Sequence, residues 1–381
     1  MRISSHYKQT PHPLSRTHIL KSILWCAAIF ICCITIYSAY GGYIRPTHTF
    51  IGKTAPLAVM AFPLLGVLIV VGTIVCLLCR SKIAYAGVLT ILICAPSLWN
   101  VCPINIIKDP VIEQKAYKSF KLLTFNVMNM FDFEEEHSKD ANNRIISFII
   151  KTDADIVSMQ ELILLPKPYQ NSNIAAQLDT LERMYPYRGQ ATDGALMVMS
   201  KYPLRRINVA HPLVNRFLPY AAFSIDLPQG PITLFDCHME SIGLTDSDKA
   251  SYQDITRGKI SKSDLKEMKH SAIYKLNEAY RTRATQVEQL RQAADSIGGN
   301  IIIAGDFNDV PLSYTVRYLK EADFKEVYPA LATGPDYTFH ADRLYFRIDH
   351  ILYRGTLTPV DLDIPKVNIS DHYPMIATFL E

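Results

Sequence analysis

The first hundred residues contain no aspartate or glutamate, although they carry eight lysine or arginine residues. The remaining 281 residues hold 31 basic and 36 acidic side chains, so the overall charge of +3 combines a basic first part with a mildly acidic second part. A protein that grips long nucleic acids usually presents a basic face. The excess of acidic residues in the second part therefore argues against tight DNA binding. A local basic face could still exist on a domain with this net charge.

The sequence also lacks the cysteine spacing of a disulfide framework or a zinc site. Seven of the eight cysteines lie in or beside the apolar first part, and Cys237 alone lies in the remainder, where it has no disulfide partner. Cys76 and Cys79 form a single C-x-x-C motif, but it lies inside an apolar run, which favours packing. Cys237 precedes His238 and should point to the opposite face of its strand, so we predict packing there too.

Three long apolar runs occupy residues 19–40, 55–79 and 83–99. A membrane-spanning helix needs about 20 apolar residues, so the first two runs are long enough and the third is short. A cleaved signal peptide does not explain the first run, because its apolar part would be too long and two further runs follow. We therefore predict that residues 1–100 form a membrane anchor of three transmembrane helices. Buried helices of a soluble protein are the alternative.

The basic residues beside these runs predict the orientation of the anchor. An N-terminus inside the cytoplasm places six of the eight charges inside and two outside. Three crossings then make the chain a multi-pass inner or plasma membrane protein with the remainder outside the cytoplasm. Two crossings would put the remainder in the cytoplasm. The inside charges are Arg2, Lys8, Arg16, Lys21, Arg80 and Lys82, and the outside ones are Arg45 and Lys53.

A linker and one soluble domain follow the anchor. Residues 101–116 contain Pro103 and Pro110 and read as the linker, and residues 117–381 form the domain. In this domain strand-like and helix-like segments alternate without strict regularity, which indicates a mixed sheet or a pair of sheets. Its clearest strand is the β-branched run at residues 301–304, which Gly305 is expected to end.

Six polar clusters follow apolar, strand-like runs in this domain. Alone, each has an ordinary explanation: a turn cap, a solvated carboxylate, or a core histidine with a satisfied hydrogen bond. Six together indicate one shared site, because strand ends and loops on a rigid scaffold carry sites disproportionately often. The clusters contain Asn126, Gln160-Glu161, His238, Asp306 with Asn308, Asp349-His350, and Asp371-His372.

These side chains supply the chemistry for hydrolysis of a phosphate ester. Carboxylate and amide oxygens suit a hard cation such as Mg²⁺, which can polarise a phosphoryl oxygen. Imidazoles can donate hydrogen bonds to phosphate or transfer protons. An aspartate beside a histidine can fix the orientation of the imidazole ring.

The ordered set of motifs resembles the endonuclease/exonuclease/phosphatase family, which has the deoxyribonuclease-I-like fold. The resemblance covers roughly residues 117–381 and implies an α/β fold: two packed mixed β-sheets flanked by helices, a four-layer sandwich with its site at one end. Residues 195–203 also resemble a strand of that family. The motifs are Thr124-Phe125-Asn126, Gln160-Glu161, His238, Gly305-Asp306-Phe307-Asn308, Arg347-Ile348-Asp349-His350 and Ser370-Asp371-His372.

The resemblance implies a Mg²⁺ site, with Mn²⁺ as a substitute. By position, Glu161 is similar to the main metal-ligating carboxylate, Asn126 lies nearby, and Asp371 is similar to a second carboxylate on the metal side. Five other residues carry catalytic roles by the same resemblance, and they are described next.

Asp306 is similar to the residue that orients or deprotonates the attacking water, and Asn308 to one that binds a phosphate oxygen. His372 would contact the scissile phosphate, oriented by Asp349, and His238 would be the other phosphate-contacting or proton-donating histidine. Whether Asp306 or His372 is the base stays open. An acidic partner for His238 is not evident, and Asp193 is only a weak match for one.

The sequence thus predicts a membrane-anchored, divalent-metal-dependent phosphoesterase that acts on a phosphate mono- or diester. A nuclease and a lipid phosphodiesterase are alternatives within the same chemistry, and a catalytically inactive tethered binding module is an alternative of another class. The predicted partners are a phosphoester substrate and the lipid bilayer, and no protein partner is implied. For Arg283, near the start of a predicted helix, a solvated helix face is the favoured interpretation.

Overall fold

The computed structural model describes residues 16–106, 119–130, 142–162, 172–192, 195–210, 218–243, 262–341 and 344–380. The chain begins with three helices: α1 (Arg16–Tyr40), α2 (Phe50–Leu78) and α3 (Ile83–Val101). The segments Leu20–Tyr43, Phe50–Leu78 and Ile83–Val101 are each long and apolar enough to cross a membrane. The third helix has 19 residues and extends beyond the 17-residue run, so it is not too short to span.

Large apolar side chains on the outside of this three-helix bundle remain exposed, as expected for a surface that faces lipid. Leu64 on α2 and Leu92 on α3 are both 66% exposed. The inward faces carry small or hydroxyl-bearing residues, such as Thr73 and Ser97, which allow close helix packing. The hydroxyl of Thr73 donates to the carbonyl oxygen of Ile69 in its own helix, which satisfies it without water.

The second part of the chain forms two six-stranded mixed β-sheets, which confirms the predicted fold class. The strands are β1 (Ser119–Asn126), β2 (Ile156–Gln160), β3 (Tyr187–Gln190), β4 (Leu196–Ser200), β5 (Leu204–Ile207), β6 (Tyr220–Leu227), β7 (Gly230–His238), β8 (Ile301–Asp306), β9 (Lys325–Glu326), β10 (Asp349–Arg354), β11 (Thr358–Asp363) and β12 (Met375–Leu380). The first sheet has the order β11-β12-β1-β2-β4-β3 and the second β5-β6-β7-β8-β10-β9. Only β1 with β2, and β7 with β8, pair in parallel among the described strands.

Helices cover the outer faces of both sheets and complete four layers. Helices α4 (Arg144–Thr152) and α5 (Ser172–Met184) pack on the first sheet, and α6 (Lys262–Ile297) and α7 (Tyr314–Lys320) on the second. A short helix, α8 (Val327–Leu331), follows β9.

The alternation of side chains along each strand builds these layers. On β7, Ile232 and Leu234 enter the core between the sheets, whereas Phe235 and Cys237 face the helices. The packing role predicted for Cys237 is therefore confirmed. By the same alternation, Asp236 and His238 are on the inner face.

The inner faces bring the polar strand ends together at one end of the sandwich. Asn126 pairs with Gln160 in the first sheet, and Asp306 pairs with both His238 and Asp349 in the second. Strand β8 continues through Gly305 instead of ending there. This glycine has φ +133°, and a Cβ would lie 2.1 Å from the carbonyl oxygen of Cys237, so only glycine lets β7 and β8 approach this closely.

The sandwich rests on the end of the helix bundle formed by the C-termini of α1 and α3 and the N-terminus of α2. Residues 101–106, from the predicted linker, contribute to this contact: Gly334 N–H donates to Pro103, and Asn105 donates to the carbonyl oxygens of Pro329 and Ala332. Residues 107–116 of that linker lie outside the described residues. The boundaries of anchor, linker and domain stay predictions.

Candidate active site

The eight residues predicted for the site all lie at the same end of the sandwich, where the C-terminal ends of β1, β2, β7 and β8 meet the start of β10 and the segment before β12. Asp306 lies at the centre. Its side chain is 2% exposed and accepts three N–H bonds. The donors are the backbone amide of Asn308 at 2.7 Å, the Asn308 side chain at 3.3 Å and the Asn126 side chain at 3.1 Å.

Asp349 and His372 form a buried pair beside Asp306. The Asp349 Oδ2 atom lies 2.8 Å from His372 Nδ1, and His372 Nε2 lies 3.6 Å from Asp306 Oδ2. Asp349 therefore fixes the ring so that Nε2 is the nitrogen directed into the site. The edge of the Phe339 ring packs against the imidazole at a centroid distance of 5.1 Å and restrains it further.

His238 lies on the other side of Asp306. Its Nε2 atom is 3.4 Å from Glu161 Oε1 and 3.7 Å from Asp306 Oδ2. Among the described residues this nitrogen is buried with no hydrogen-bond partner. Asp193, the weak sequence candidate for its acidic partner, lies outside the described residues, and Glu161 is the nearest carboxylate recorded. An unpaired buried imidazole nitrogen is costly unless a ligand completes its contacts.

Asn126 does not present its oxygen to the carboxylates. Its side-chain nitrogen donates to Glu161 Oε1 at 3.0 Å and to Asp306, while its oxygen accepts from the Met128 amide. In this arrangement Asn126 orients two carboxylates, and a role as an oxygen ligand would require rotation of the amide. Its assignment as a ligand stays a prediction.

Asp371 lies at the margin of the site. It belongs to neither of the two groups of converging ligand atoms among the described residues, which are Glu161 with His238 and Asp306, and Asp306 with Asp349 and His372. Ser370, whose hydroxyl donates to the carbonyl oxygen of Asn126, also lies 3.2 Å from the Asp371 carboxylate and ties this segment to the end of β1.

Two site residues adopt left-handed backbone conformations that non-glycine residues seldom occupy. Glu161 has φ +57° and Asn308 φ +50°. Glu161 follows the last residue of β2, so this bend turns its side chain out of the strand alternation and toward Asn126 and His238. Such conformations cost roughly 1–3 kcal/mol each and are common at functional sites.

Burial and the concentration of carboxylates together determine the pKa values of the site. Burial raises the pKa of Asp306, with the charge of Asp349 acting in the same direction and the histidines opposing it. Burial and the nearby charge of Glu161 likewise raise the pKa of Asp371. Burial alone would lower the pKa of His372, but the carboxylates of Asp349 and Asp306 raise it to about 10. The site therefore favours positive charge.

A second polar layer lies between the sheets directly beneath the site. Gln160 donates to Asp236 Oδ1 at 2.6 Å and to the hydroxyl of Thr124 at 3.2 Å. Burial raises the pKa of Asp236 to about 8, so this carboxyl is largely neutral at neutral pH. Gln160 immediately precedes Glu161, so this layer fixes the strand end from which the Glu161 carboxylate projects.

Arg283, for which a solvated helix face was the favoured interpretation, is in fact buried. It is 1% exposed, and its Nε atom lies 3.3 Å from Asp309 Oδ2. Its Nη1 atom donates to the carbonyl oxygen of Glu240, just beyond β7. The solvated-face interpretation was wrong because a helical period alone does not say which polar residues find a buried partner. The Asp309 carboxylate also accepts from Thr315 at 2.8 Å.

An aromatic wall adjoins His372. His340 stacks on Tyr373 with centroids 4.0 Å apart, and the Lys366 ammonium lies 4.6 Å from the Tyr373 ring centroid. Tyr345 is 58% exposed. We define this wall as Tyr337, Phe339, His340, Tyr345 and Tyr373. The sequence motifs did not identify these residues. The one signal available was their proximity in the sequence to Asp349 and His372.

The donor set fits a divalent cation. The oxygens of Glu161 and Asp306 converge with the unpaired nitrogen of His238 to within 4.8 Å of one another. Carboxylate oxygens are the preferred ligands of Mg²⁺, and a cation would stabilise the ionised forms of Asp306 and Asp371, which burial and neighbouring carboxylates disfavour. The residues present are therefore compatible with a bound metal ion.

A model of the endonuclease/exonuclease/phosphatase family matches residues 123–372, so the chain belongs to this family. The matched region includes all eight predicted site residues and every strand except β12 and the first half of β1. Members of the family hydrolyse phosphoesters and depend on divalent metal ions. Comparison with curated protein sequences gives no match.

Solved structures of related fold include three that span about two thirds of this chain. A crystal structure of an endonuclease/exonuclease/phosphatase from Beutenbergia cavernae has 16% identity, covers 69% of this chain and 72% of its own, and gives a TM-score of 0.46. The structure of an AP endonuclease from Archaeoglobus fulgidus has 16% identity and a TM-score of 0.41, and the match covers 68% of this chain and 98% of the endonuclease. The structure of a 3′ phosphatase from Neisseria, bound to a product DNA hairpin, has 16% identity and a TM-score of 0.43. The match covers 68% of this chain and 98% of the phosphatase. Identities this low carry no information about substrate.

Proposed function

We propose that this protein is a membrane-anchored, divalent-metal-dependent phosphoesterase that hydrolyses a phosphate mono- or diester by attack of water. The observation that carries the proposal is the convergence of Asp306 with Glu161 and His238 on one side and with the Asp349–His372 pair on the other, at one end of the sandwich. A tethered module with an inactive site would have no reason to bury the carboxylates of Asp306 and Asp349 against His372, at the cost in stability that such burial brings.

Asp306 is suited to act on the attacking water. Three N–H donors fix its carboxylate between the two histidines, so a water molecule beside it would be held in one orientation. Asp306 would orient this water and accept its proton as the new P–O bond forms.

The two histidines are suited to act on the phosphate. His372 would donate from Nε2 to a phosphoryl oxygen, with Asp349 fixing the ring through Nδ1. His238 would donate a proton from Nε2 to the leaving oxygen as its bond to phosphorus breaks. Asn308 would hold a phosphate oxygen only by releasing contacts that its side chain now makes to Met239 and Asp306.

Glu161 would hold the divalent cation, with Asp371 and Asn126 as further candidates after local adjustment. When bound, the cation would polarise a phosphoryl oxygen and offset the negative charge that develops during the reaction. Mg²⁺ is the expected ion, with Mn²⁺ as a substitute, because the candidate ligands are oxygen atoms.

The contact between bundle and sandwich supports three crossings with the sandwich outside the cytoplasm. The sandwich touches the loop between α1 and α2, through Arg45 and Glu288, and the C-terminus of α3, through Asn100 and Arg347. Both elements are therefore on the same end of the bundle. The distribution of basic residues in the sequence puts that end outside.

The aromatic wall favours a second, narrower candidate: a nuclease or nucleotide phosphoesterase. Exposed aromatic rings interleaved with a cation stack with nucleobases and tolerate many sequences. Tyr345 and Lys366 offer such a surface on the wall that contacts His372 through Phe339, with a ring for a base and an ammonium group for a phosphate.

The test uses the full-length protein in detergent micelles with Mg²⁺ and a panel of plasmid DNA, RNA, sphingomyelin, phosphoinositides and bis-p-nitrophenyl phosphate. We expect hydrolysis that stops with a chelator and returns with Mg²⁺ or Mn²⁺. Glu161→Gln removes a charge and little volume, so activity should fall by at least about 10²-fold while the protein stays folded. Preference for DNA or RNA within the panel would favour the nuclease candidate.

Glu182→Gln is the matched control, because Glu182 is an exposed carboxylate that pairs with Arg188 on the surface. It should keep wild-type activity. Full activity of the chelator-treated protein, or equal activity of the two variants, would contradict the proposed mechanism.

A further inference from the structure

The loop that follows the central aspartate packs directly on the membrane anchor. Val310 and Leu312 join a small apolar cluster with Ala39 of α1, Phe62 of α2 and Cys94 of α3. Leu312 is 2% exposed and the three anchor residues are fully buried. All three helices thus contribute to the apolar cluster that receives the segment beginning at Asp306.

Arg317 joins the same loop to two helices of the anchor through polar contacts. Its guanidinium donates to the carbonyl oxygens of Leu312 at 3.2 Å and Ala39 at 2.6 Å, and to the Ser97 hydroxyl at 3.0 Å. It also lies 4.3 Å from the centroid of the Tyr43 ring. A buried guanidinium needs its donors satisfied, and three of the recorded acceptors lie on the loop and the anchor.

Gly42, between α1 and α2, makes the closest approach. A Cβ at this position would lie 1.8 Å from the carbonyl oxygen of Leu312 and 2.9 Å from the Arg317 side chain. The first distance is far below ordinary van der Waals contact and involves backbone, so any side chain here would force the loop and the anchor apart by more than an ångström.

The segment between Leu312 and the site has little freedom to absorb such a displacement. The Asp309 carboxylate accepts from Arg283 and Thr315, and its carbonyl oxygen is 2.9 Å from His350 Nε2. Asn308 is bonded to Asp306 and to the carbonyl oxygen of Met239. A shift at Leu312 is therefore transmitted toward Asp306 and Asn308.

We propose that the three-helix bundle is a structural part of the catalytic unit, and that Gly42, Ser97 and Arg317 are positioning residues that hold the Asp306–Leu312 loop in its working conformation. The catalytic part of this inference rests on the proposed function. A simple tether would need neither a glycine against a loop carbonyl nor a buried arginine bridging two helices to that loop.

Gly42→Ala in the full-length protein tests the inference, with Gly72→Ala as the matched control. Gly72 is also a glycine of the anchor, but a Cβ there has nothing within 4 Å. Hydrogen–deuterium exchange should show faster exchange of the amides from Asp306 to Thr315 in Gly42→Ala and no change in Gly72→Ala. The kcat should fall by about 10- to 100-fold with a smaller change in KM, because a displaced catalytic group weakens chemistry more than binding.

Ser97→Ala keeps the inference testable if Gly42→Ala does not fold, since it removes one acceptor of Arg317 and almost no volume. It should produce the same changes with smaller amplitude. Wild-type exchange in the loop, or faster exchange with unchanged kcat, would overturn the inference. A wild-type protein inactive on every substrate would instead refute the proposed function, and the exchange measurement would still report whether the anchor holds the loop.

Discussion

Two buried histidine–carboxylate pairs lie on opposite faces of β10, and only one of them belongs to the site. Asp349 pairs with His372 at 2.8 Å, and the next residue, His350, pairs with Glu326 at 2.9 Å. Because successive side chains of a strand point to opposite faces, Asp349 enters the space between the sheets, and His350 enters the layer behind it. The same pair chemistry thus occurs in two different surroundings.

The surroundings decide what each pair can do. His372 directs its second nitrogen toward Asp306 and the site, among carboxylates in excess. The second nitrogen of His350 is 2.9 Å from the backbone carbonyl oxygen of Asp309, and Glu326 is also paired with Arg347 at 2.5 Å. The front pair therefore keeps a nitrogen for substrate, whereas the rear pair has every strong partner inside the protein. We expect the first to control rate and the second to control stability.

The largest expected effect comes from breaking the front pair. Asp349→Asn removes the charge beside His372 and permits the wrong ring orientation, so kcat should fall by about 10²–10⁴-fold. His372→Ala should cost at least as much. The double variant should lose little more than His372→Ala alone, because the pair acts as a unit. Steady-state kinetics on bis-p-nitrophenyl phosphate would measure all three.

Circular dichroism of the three variants is the control for this comparison, since a loss of fold would also remove activity. Independent, multiplying losses would show that the two residues do not act together. Near-complete activity of Asp349→Asn would make Asp349 a structural residue of β10, like its neighbour.

Breaking the rear pair should lower stability and affect the rate far less than breaking the front pair. Glu326→Gln keeps the shape of the side chain but leaves the Arg347 guanidinium buried without its carboxylate. Loss of one partner of a buried ion pair costs about 3–5 kcal/mol of unfolding free energy, so the melting temperature should fall. The kcat of the folded protein should fall far less than in Asp349→Asn, because the rear pair reaches the site only through the contact of His350 with the Asp309 carbonyl oxygen. A stable variant with a large loss of kcat would reverse the distinction between the two pairs.

The contrast also shows what the sequence predicts well. Apolar strand-like runs, together with polar residues at their ends, were enough to predict a mixed sheet or a pair of sheets and one shared site for Asn126, His238, Asp306 and Asp349. The choice of two packed sheets came from the family resemblance. Strand period is a local property, and a motif at a strand end depends on few distant contacts. The family resemblance supplied the placement of His372 opposite Asp349.

The rear layer and the anchor contact could not be predicted in the same way. Glu326, Arg317 and Arg283 lie in segments with no motif, and their burial depends on partners far away in the chain, such as Ala39 and Ser97 of the anchor for Arg317. A charged residue in a sequence is normally predicted to be solvated, because burying a charge without a partner is so unfavourable. Only the three-dimensional structure shows that each has found a buried partner.

The smallest expected effect, a dependence of stability on pH, sharpens the comparison further. Burial would raise the pKa of Glu326, but Arg347, with help from His350 and Lys320, holds it well below the ordinary value of 4.5. A carboxyl whose pKa is lower in the folded than in the unfolded state stabilises the fold above the unfolded pKa, and this contribution is lost as the pH falls toward the folded pKa. The melting temperature of the wild-type protein should therefore exceed that of Glu326→Gln at neutral pH, and the difference should shrink as the pH falls from about 5 to about 3. Melting curves of both proteins in detergent at matched ionic strength would measure this difference. A constant difference across that range would mean that Glu326 stabilises the protein by packing and hydrogen bonding, and not by its charge.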